Sequence, residues 1–302
     1  MQFGVKASGS RAPVTNSDFL KENSVFAVFG SFVNTATPGA RTIEFDGTEV
    51  TYKSGVWTYD DARYWFPGHT YDFTAVYPAT LNASVDDASG KVKVVDFKAD
   101  GTDVLAATHH RDCVAGAQDK VAFDFRHLLS RVTFKGRSDD RYLGADGKPD
   151  ATARKIKVTS FKVSGIADIG TWDGTNFAAD GSNLGGWTHS EQTATYTAPI
   201  DANGLELGND PVDIFGSNDI ILAIPQAFTA LKIEITYVFT EGTQGEQTAT
   251  STLAGTWLPG KSYSYNFALN THIFFDIPVV EDWTTAPVNN PDLNIDLPRN
   301  NP

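Results

Sequence analysis

One pattern is written twice in this chain and limits what the chain can fold into. Residues 64–73 read Tyr-Trp-Phe-Pro-Gly-His-Thr-Tyr-Asp-Phe, and residues 256–265 read Thr-Trp-Leu-Pro-Gly-Lys-Ser-Tyr-Ser-Tyr. Both follow Trp-x-Pro-Gly-x-x-Tyr-x-aromatic. After each turn, apolar residues fall at every second position: Tyr71, Phe73, Ala75 and Tyr77, then Tyr263, Tyr265, Phe267 and Leu269. Pro-Gly sets a tight turn, and period-two alternation marks a strand with one buried face. The pair reads as a duplicated β module, with Trp65 and Trp257 each covering the end of a core.

The remaining sequence keeps the same grammar. Residues 25–33 are almost continuously apolar, as a central strand covered on both sides would be. Residues 41–45 and 49–52 flank Asp46-Gly47 and read as a hairpin. Val121, Phe123 and Phe125 alternate up to His127. From Leu128 the pattern restarts with Val132 and Phe134, followed by a charged loop at 137–150. Ile156 and Val158 keep one phase, Phe161 and Val163 the other, which predicts a bulge near Ser160. Leu231, Ile233, Ile235, Tyr237 and Phe239 alternate most cleanly, and a last strand at 273–280 precedes Trp283. Residues 16–23 allow one helical turn. The expected fold is all-β: two tandem antiparallel β-sandwich domains of about seven strands each, 1–127 and 128–283, followed by an extended tail at 284–302.

Composition supports this and narrows function. The 302 residues hold 26 glycines, 14 prolines and a single methionine, Met1, which suits short strands and turns. A formal net charge of -13 with no basic cluster argues against nucleic acid or an anionic lipid surface as partner. No apolar run is long enough for a membrane-spanning helix. Met1, followed at once by strand-like sequence, reads as standing in place of a removed leader, so export is expected. Cys113 is the only cysteine, which excludes an internal disulfide framework.

The two ends differ from the body. Phe3, Val5 and Ala7 alternate with polar residues, and an accessible linker at 8–13 containing Arg11-Ala12 follows. At the other end, Leu293, Ile295 and Leu297 alternate with Asn294 and Asp296, a strand pattern with no partner of its own. The tail's prolines at 287, 291 and 298 restrict that strand.

Several phrases occur together: the two Trp-x-Pro-Gly-x-x-Tyr strands, FDFRHLLSRVTF at 123–134, ILAIPQ at 221–226, PVVEDW at 278–283, and the leading QFGVKASGSRAP. In this combination the chain resembles the fimbrillin-like superfamily of Bacteroidetes surface proteins. The resemblance implies transthyretin-like sandwiches, export as a lipoprotein, and display at the outer membrane or in a fimbrium. It also implies that an arginine-specific protease cleaves at Arg11-Ala12 and removes the strand carrying Phe3, Val5 and Ala7. A strand from a neighbouring subunit, with Leu293, Ile295 and Leu297 as its apolar face, then fills the groove. Physically, an edge strand taken away exposes unpaired backbone groups, and strand addition satisfies them.

A second reading is a surface carbohydrate-binding module. Trp172 and Trp187 lie among Gly, Asn and Asp, where exposed rings could stack on sugar faces. Catalysis is not expected. Asp168 and Asp173 flank a turn without a recognisable acid–base arrangement, His109 and His110 near Cys113 make no nucleophile site, and no metal-ligand spacing or phosphate loop is present. Neither a cofactor nor a metal is expected. The expected partners are other pilin subunits, the protease, and a glycan or protein at the adhesion surface, with any membrane contact made through a lipid anchor.

Overall fold

The computed structural model describes residues 16–283 apart from 38, 61–62, 115–120, 140–154, 217–219 and 241–244, together with the backbone of 294 and 295. Apart from one helical turn, α1 (Asn16–Phe19), the described residues form strands and their connections. The alternation that predicted an all-β chain is thus realised.

The first sheet runs β3-β2-β1-β4-β7-β9, from β1 (Val25–Asn34), β2 (Thr42–Lys53), β3 (Val56–Thr58), β4 (His69–Tyr77), β7 (Leu105–Cys113) and β9 (Arg126–His127). Strand β1 is central and covered on both faces, as its apolar run demands. Phe26 and Val28 enter one core, Ala27 and Phe29 another. The Asp46-Gly47 hairpin expected from sequence is instead a bulge within one continuous strand. Val28 faces Thr48 and Gly30 faces Phe45, so Asp46 and Gly47 together oppose Phe29. Gly47 takes φ 71°, the left-handed conformation that lets a strand absorb an extra residue.

The second half supplies two sheets. One runs β14-β11-β18-β19, from β11 (Ile156–Ile166), β14 (Ala194–Thr197), β18 (Gln226–Phe239) and β19 (Gln247–Trp257), with β15 (Leu205–Leu207) also on β11. The phase change in β11 is a bulge, because Val158 faces Tyr237 and Ser160 faces Thr236, leaving Thr159 unmatched. The other runs β16-β10-β20-β21, from β10 (Ser130–Ser138), β16 (Val212–Asp213), β20 (Lys261–Leu269) and β21 (Ile273–Phe275). Here β17 (Ile221–Ala223) pairs with β10, and β22 (Val279–Asp282) pairs with β20. Strands β10 and β20 are parallel, with Arg131 opposite Ser262 and Ser138 opposite Leu269.

A further sheet crosses residue 128. It runs β13-β12-β6-β5, joining β5 (Ala83–Val85) and β6 (Val92–Lys98) to β12 (Ile169–Asp173) and β13 (Gly186–His189). Beneath it lies a core shared by both halves, in which Phe29, Val94, Leu129, Trp172, Leu222 and Trp283 are buried together. The other two cores each stay within one half. Trp65 belongs to the first and Trp257 to the second, at 4% and 1% exposure, so each covers a core as the doubled motif predicts.

Candidate functional site

Three observations converge on the place where the tail meets the first half. Residues 121–125 alternate, and Val121, Phe123 and Phe125 insert into the first core against Phe26 and Phe19. Only two of these residues form a strand, β8 (Val121–Ala122), which is absent from the six-stranded sheet of the first half. Its partner is β23 (Asn294–Ile295): Asn294 pairs antiparallel with Ala122, and Ile295 with Val121. So the segment whose alternation lacked a partner in the sequence lies, in its backbone, on a strand of the first half.

The inner face of the neighbouring β7 is not uniformly apolar. Leu105, Ala107 and Cys113 face the core, and the Arg111 guanidinium lies over the Trp65 ring, 5.4 Å from its centroid. Burial holds the His109 imidazole below its ordinary value, with Arg111 pushing the same way and a hydrogen bond to the Ala122 backbone opposing both. Burial likewise raises the Cys113 thiol, which makes it a small core residue and not a nucleophile. His110 points to the opposite face, where its Nδ1 lies 2.7 Å from Asp72 Oδ1.

The root of the tail is fixed by Trp283. Its backbone N–H donates to Gly260 O at 2.9 Å, tying it to the second Pro-Gly turn. Its ring stacks on His127 with centroids 3.6 Å apart and planes 4° from parallel. His127 Nδ1 lies 2.9 Å from Asp103 Oδ2, and both of those side chains are fully buried. The stacked ring keeps water from this ionisable pair, so the pair depends on the match between its own charges and hydrogen bonds. Sequence reading missed this triad, for its members are distant in the chain. The only signals were a His at the end of an alternating run and a Trp after PVVEDW's acidic pair.

Beside the root, the outer face of the β10–β20–β22 sheet holds a groove of about 340 Å³ lined by Arg131, Thr133, Lys135, Ser262, Ser264 and Glu281, among others. Of its charged side chains, Lys135 lies 3.6 Å from Asp213, while Arg131 donates a hydrogen bond to Ser262 Oγ at 3.0 Å.

The residues singled out in sequence divide as follows. Phe3, Val5, Ala7, Arg11, Ala12, Leu293 and Leu297 lie outside the described residues, and Ile295 is described only through its backbone pairing. Trp172 is corrected as a glycan contact. It sits on β12, fully buried, with its ring 5.5 Å from Phe177 and its N–H donating to Leu184 O at 2.8 Å, so no face is open to a sugar. Trp187 faces Trp172 across β12 and β13, is half-buried against Phe97, and donates to Leu128 O at 2.9 Å. Glycine-rich flanks suggested loops, whereas these tryptophans pack the shared core. Asp173 is engaged by Thr175 and by Lys93 at 3.0 Å, and the Thr175 hydrogen bond, outweighing burial, lowers its pKa.

A family model described as fimbrillin-like matches residues 10–283. Among curated proteins none matches. The solved structure of a fimbrial protein from Bacteroides vulgatus is similar at a TM-score of 0.63 and 16% identity, covering 89% of this chain and 96% of that one. A putative cell adhesion protein from Bacteroides uniformis aligns at 0.49 and 18% identity, over 93% and 100% of the two chains. The tip fimbrial protein Mfa3 from Porphyromonas gingivalis, with C-terminal truncation, aligns at 0.37 and 11% identity, over 89% and 97%. At such identities the first likeness speaks to fold, and the sheets above fit it.

Proposed function

The chain belongs to the fimbrillin-like family, and from that premise we propose that it is a structural subunit of a cell-surface fimbrium, joined to its neighbours by strand exchange and serving adhesion. The observation that carries this reading is the antiparallel pairing of Asn294 and Ile295 with Ala122 and Val121. The tail has the sequence of a donor strand, and an edge of the first half accepts its backbone.

In this scheme an arginine-specific protease cuts at Arg11-Ala12, and the strand with Phe3, Val5 and Ala7 leaves. The opened edge then takes Leu293, Ile295 and Leu297 from a second copy or a related subunit. The contact is head-to-tail, so it propagates instead of closing. Residues 1–127 act as the acceptor sandwich, 128–283 as a second sandwich fused to it through the shared core, and 284–302 as the donor. The protein works at the cell surface, held there through a lipid anchor or through the fimbrium itself, and its role is structural, not catalytic. Its partners are other pilin subunits and, at the adhesion surface, a glycan or protein.

The test compares the protein, its Arg11→Ala variant and a variant lacking 284–302 after treatment with an arginine-specific protease. Sedimentation should show concentration-dependent polymers for the first alone, and the deletion should unfold at nearly the same denaturant concentration as the full chain. Equal polymerisation of Arg11→Ala defeats protease gating. Polymers formed without the tail defeat strand donation.

A further inference from the structure

Of ten large apolar side chains exposed among the described residues, eight fall into two groups. Exposed apolar residues scattered singly are ordinary, whereas grouping marks an interaction surface. Tyr64, Phe66 and Val114 form the first group, at the end of the first sheet where β4 begins and β7 stops. The two segments are tied there by the Gly68 N–H, which donates to Cys113 O at 2.9 Å. Val114 is 67% exposed and precedes β8, the strand that pairs with the tail. The second group, Leu258, Phe274, Ile277, Val279 and Val280, follows the turn before β20 and the β21–β22 edge. Ile277 is 90% exposed, and this edge leads directly into Trp283 and the tail.

We propose that these two groups meet: the β21–β22 edge of one copy packs on the Tyr64–Phe66–Val114 end of the next copy, the one whose β8 receives its tail. The docking rests on the strand-donation reading above and adds an apolar contact to it. Chain length supports the match. From Trp283 to Leu293 the tail has ten residues, and a fully extended chain of that length reaches at most about 35 Å. A donor strand seated on β8 of a second copy therefore brings that copy close to the root it grew from. A chain of net charge -13 repels its own copies, and residues 277–280 carry no charge but lie between Asp276 and Glu281, so it is the apolar area leaving water that favours approach there. Two tethered contacts reinforce each other, since each raises the effective concentration of the other.

The experiment uses the full chain with Ile277→Lys, Val114→Asp, and both together. Both positions are exposed, so thermal unfolding should match that of the unsubstituted chain. After cleavage with the arginine-specific protease, each single variant should raise the critical concentration for polymer growth by about tenfold or more. The double variant should recover most of that loss, because the introduced charges attract across the interface. Unimpaired growth of Ile277→Lys overturns the docking and leaves strand donation standing. Impaired singles with no recovery in the double overturn the pairing of these two faces. If the cleaved unsubstituted chain forms no polymer, strand donation fails and the docking falls with it.

Discussion

The backbone N–H of Leu258 donates to the hydroxyl of Tyr263 at 2.8 Å. The first motif repeats the bond: the Phe66 N–H donates to the Tyr71 hydroxyl at 2.9 Å. In each, the Pro-Gly turn places its glycine in the left-handed region, φ 76° at Gly68 and 66° at Gly260. Each glycine N–H then donates to the backbone of a neighbouring strand or loop, Gly68 to Cys113 O and Gly260 to Leu129 O. The strands that follow are both nine residues long, with the same burial sequence through their first eight positions. The indoles have diverged. Trp65 meets Tyr71 edge-on at 4.8 Å, while Trp257 packs on Phe228 and donates to the Tyr265 hydroxyl at 3.0 Å. The Tyr hydroxyl is thus the conserved lock of the turn within this one chain.

Tyr263→Phe keeps the ring and removes the acceptor of a part-buried N–H. The expected cost is about 1–2 kcal/mol in urea unfolding, and Tyr71→Phe should cost a similar amount. Unchanged midpoints for both variants would mean that water replaces the hydroxyl without loss.

Alkaline pH should weaken the fold through the same group. Burial is the main cause that pushes the Tyr71 hydroxyl up to about 12, although the Phe66 N–H favours its ionised form. The unfolded chain then loses the proton first. Stability is fully present below the ordinary tyrosine value, falls as pH rises above it, and levels off once the folded pKa is passed. Melting temperatures followed from pH 9 to 12 should drop less steeply for Tyr71→Phe than for the parent. Tyr77, Tyr237 and Tyr265, all raised by burial, add to the same slope.

Acid pH should act on the outer face of the first sheet. Burial raises the Asp72 carboxyl, but hydrogen bonds from His110 and Arg41 outweigh it, and the net direction is down. A depressed folded pKa contributes stability above the unfolded value and loses it as pH falls through the folded one. Asp72→Asn should therefore be less stable than the parent at neutral pH, and the difference should shrink between pH 4 and 2.

Trp283→Ala should act on both halves at once. The ring is 6% exposed and stacked on His127, and deleting a buried Trp costs about 3–5 kcal/mol. Denaturation followed by probes in each half should shift together. A loss confined to the second half would show that the shared core does not couple them.

Local grammar was legible where a strand's two faces have different environments. Strand β18 and the Thr159 bulge could be read because Ile233, Ile235 and Tyr237 are buried on one side against Lys232 and Glu234 on the other. Asp46-Gly47 was misread because a left-handed glycine serves a hairpin turn and a bulge equally well; which one forms depends on the partner strand. The sheet that joins Val94 to Trp172 left no trace in the sequence, since pairing between distant segments adds no local period. The tail's alternation was visible, but its partner Val121 was not, for the same reason. His127, Asp103 and Trp283 each look ordinary in sequence, and only the fold brings them together.

The stack of His127 on Trp283 closes a ring in the chain. The backbone enters the segment 128–283 and leaves it at the same spot, with centroids 3.6 Å apart. A pull on the backbone after Trp283 would therefore act where the two halves already meet, on this stack, on the β22–β20 pairing and on the core that both halves share.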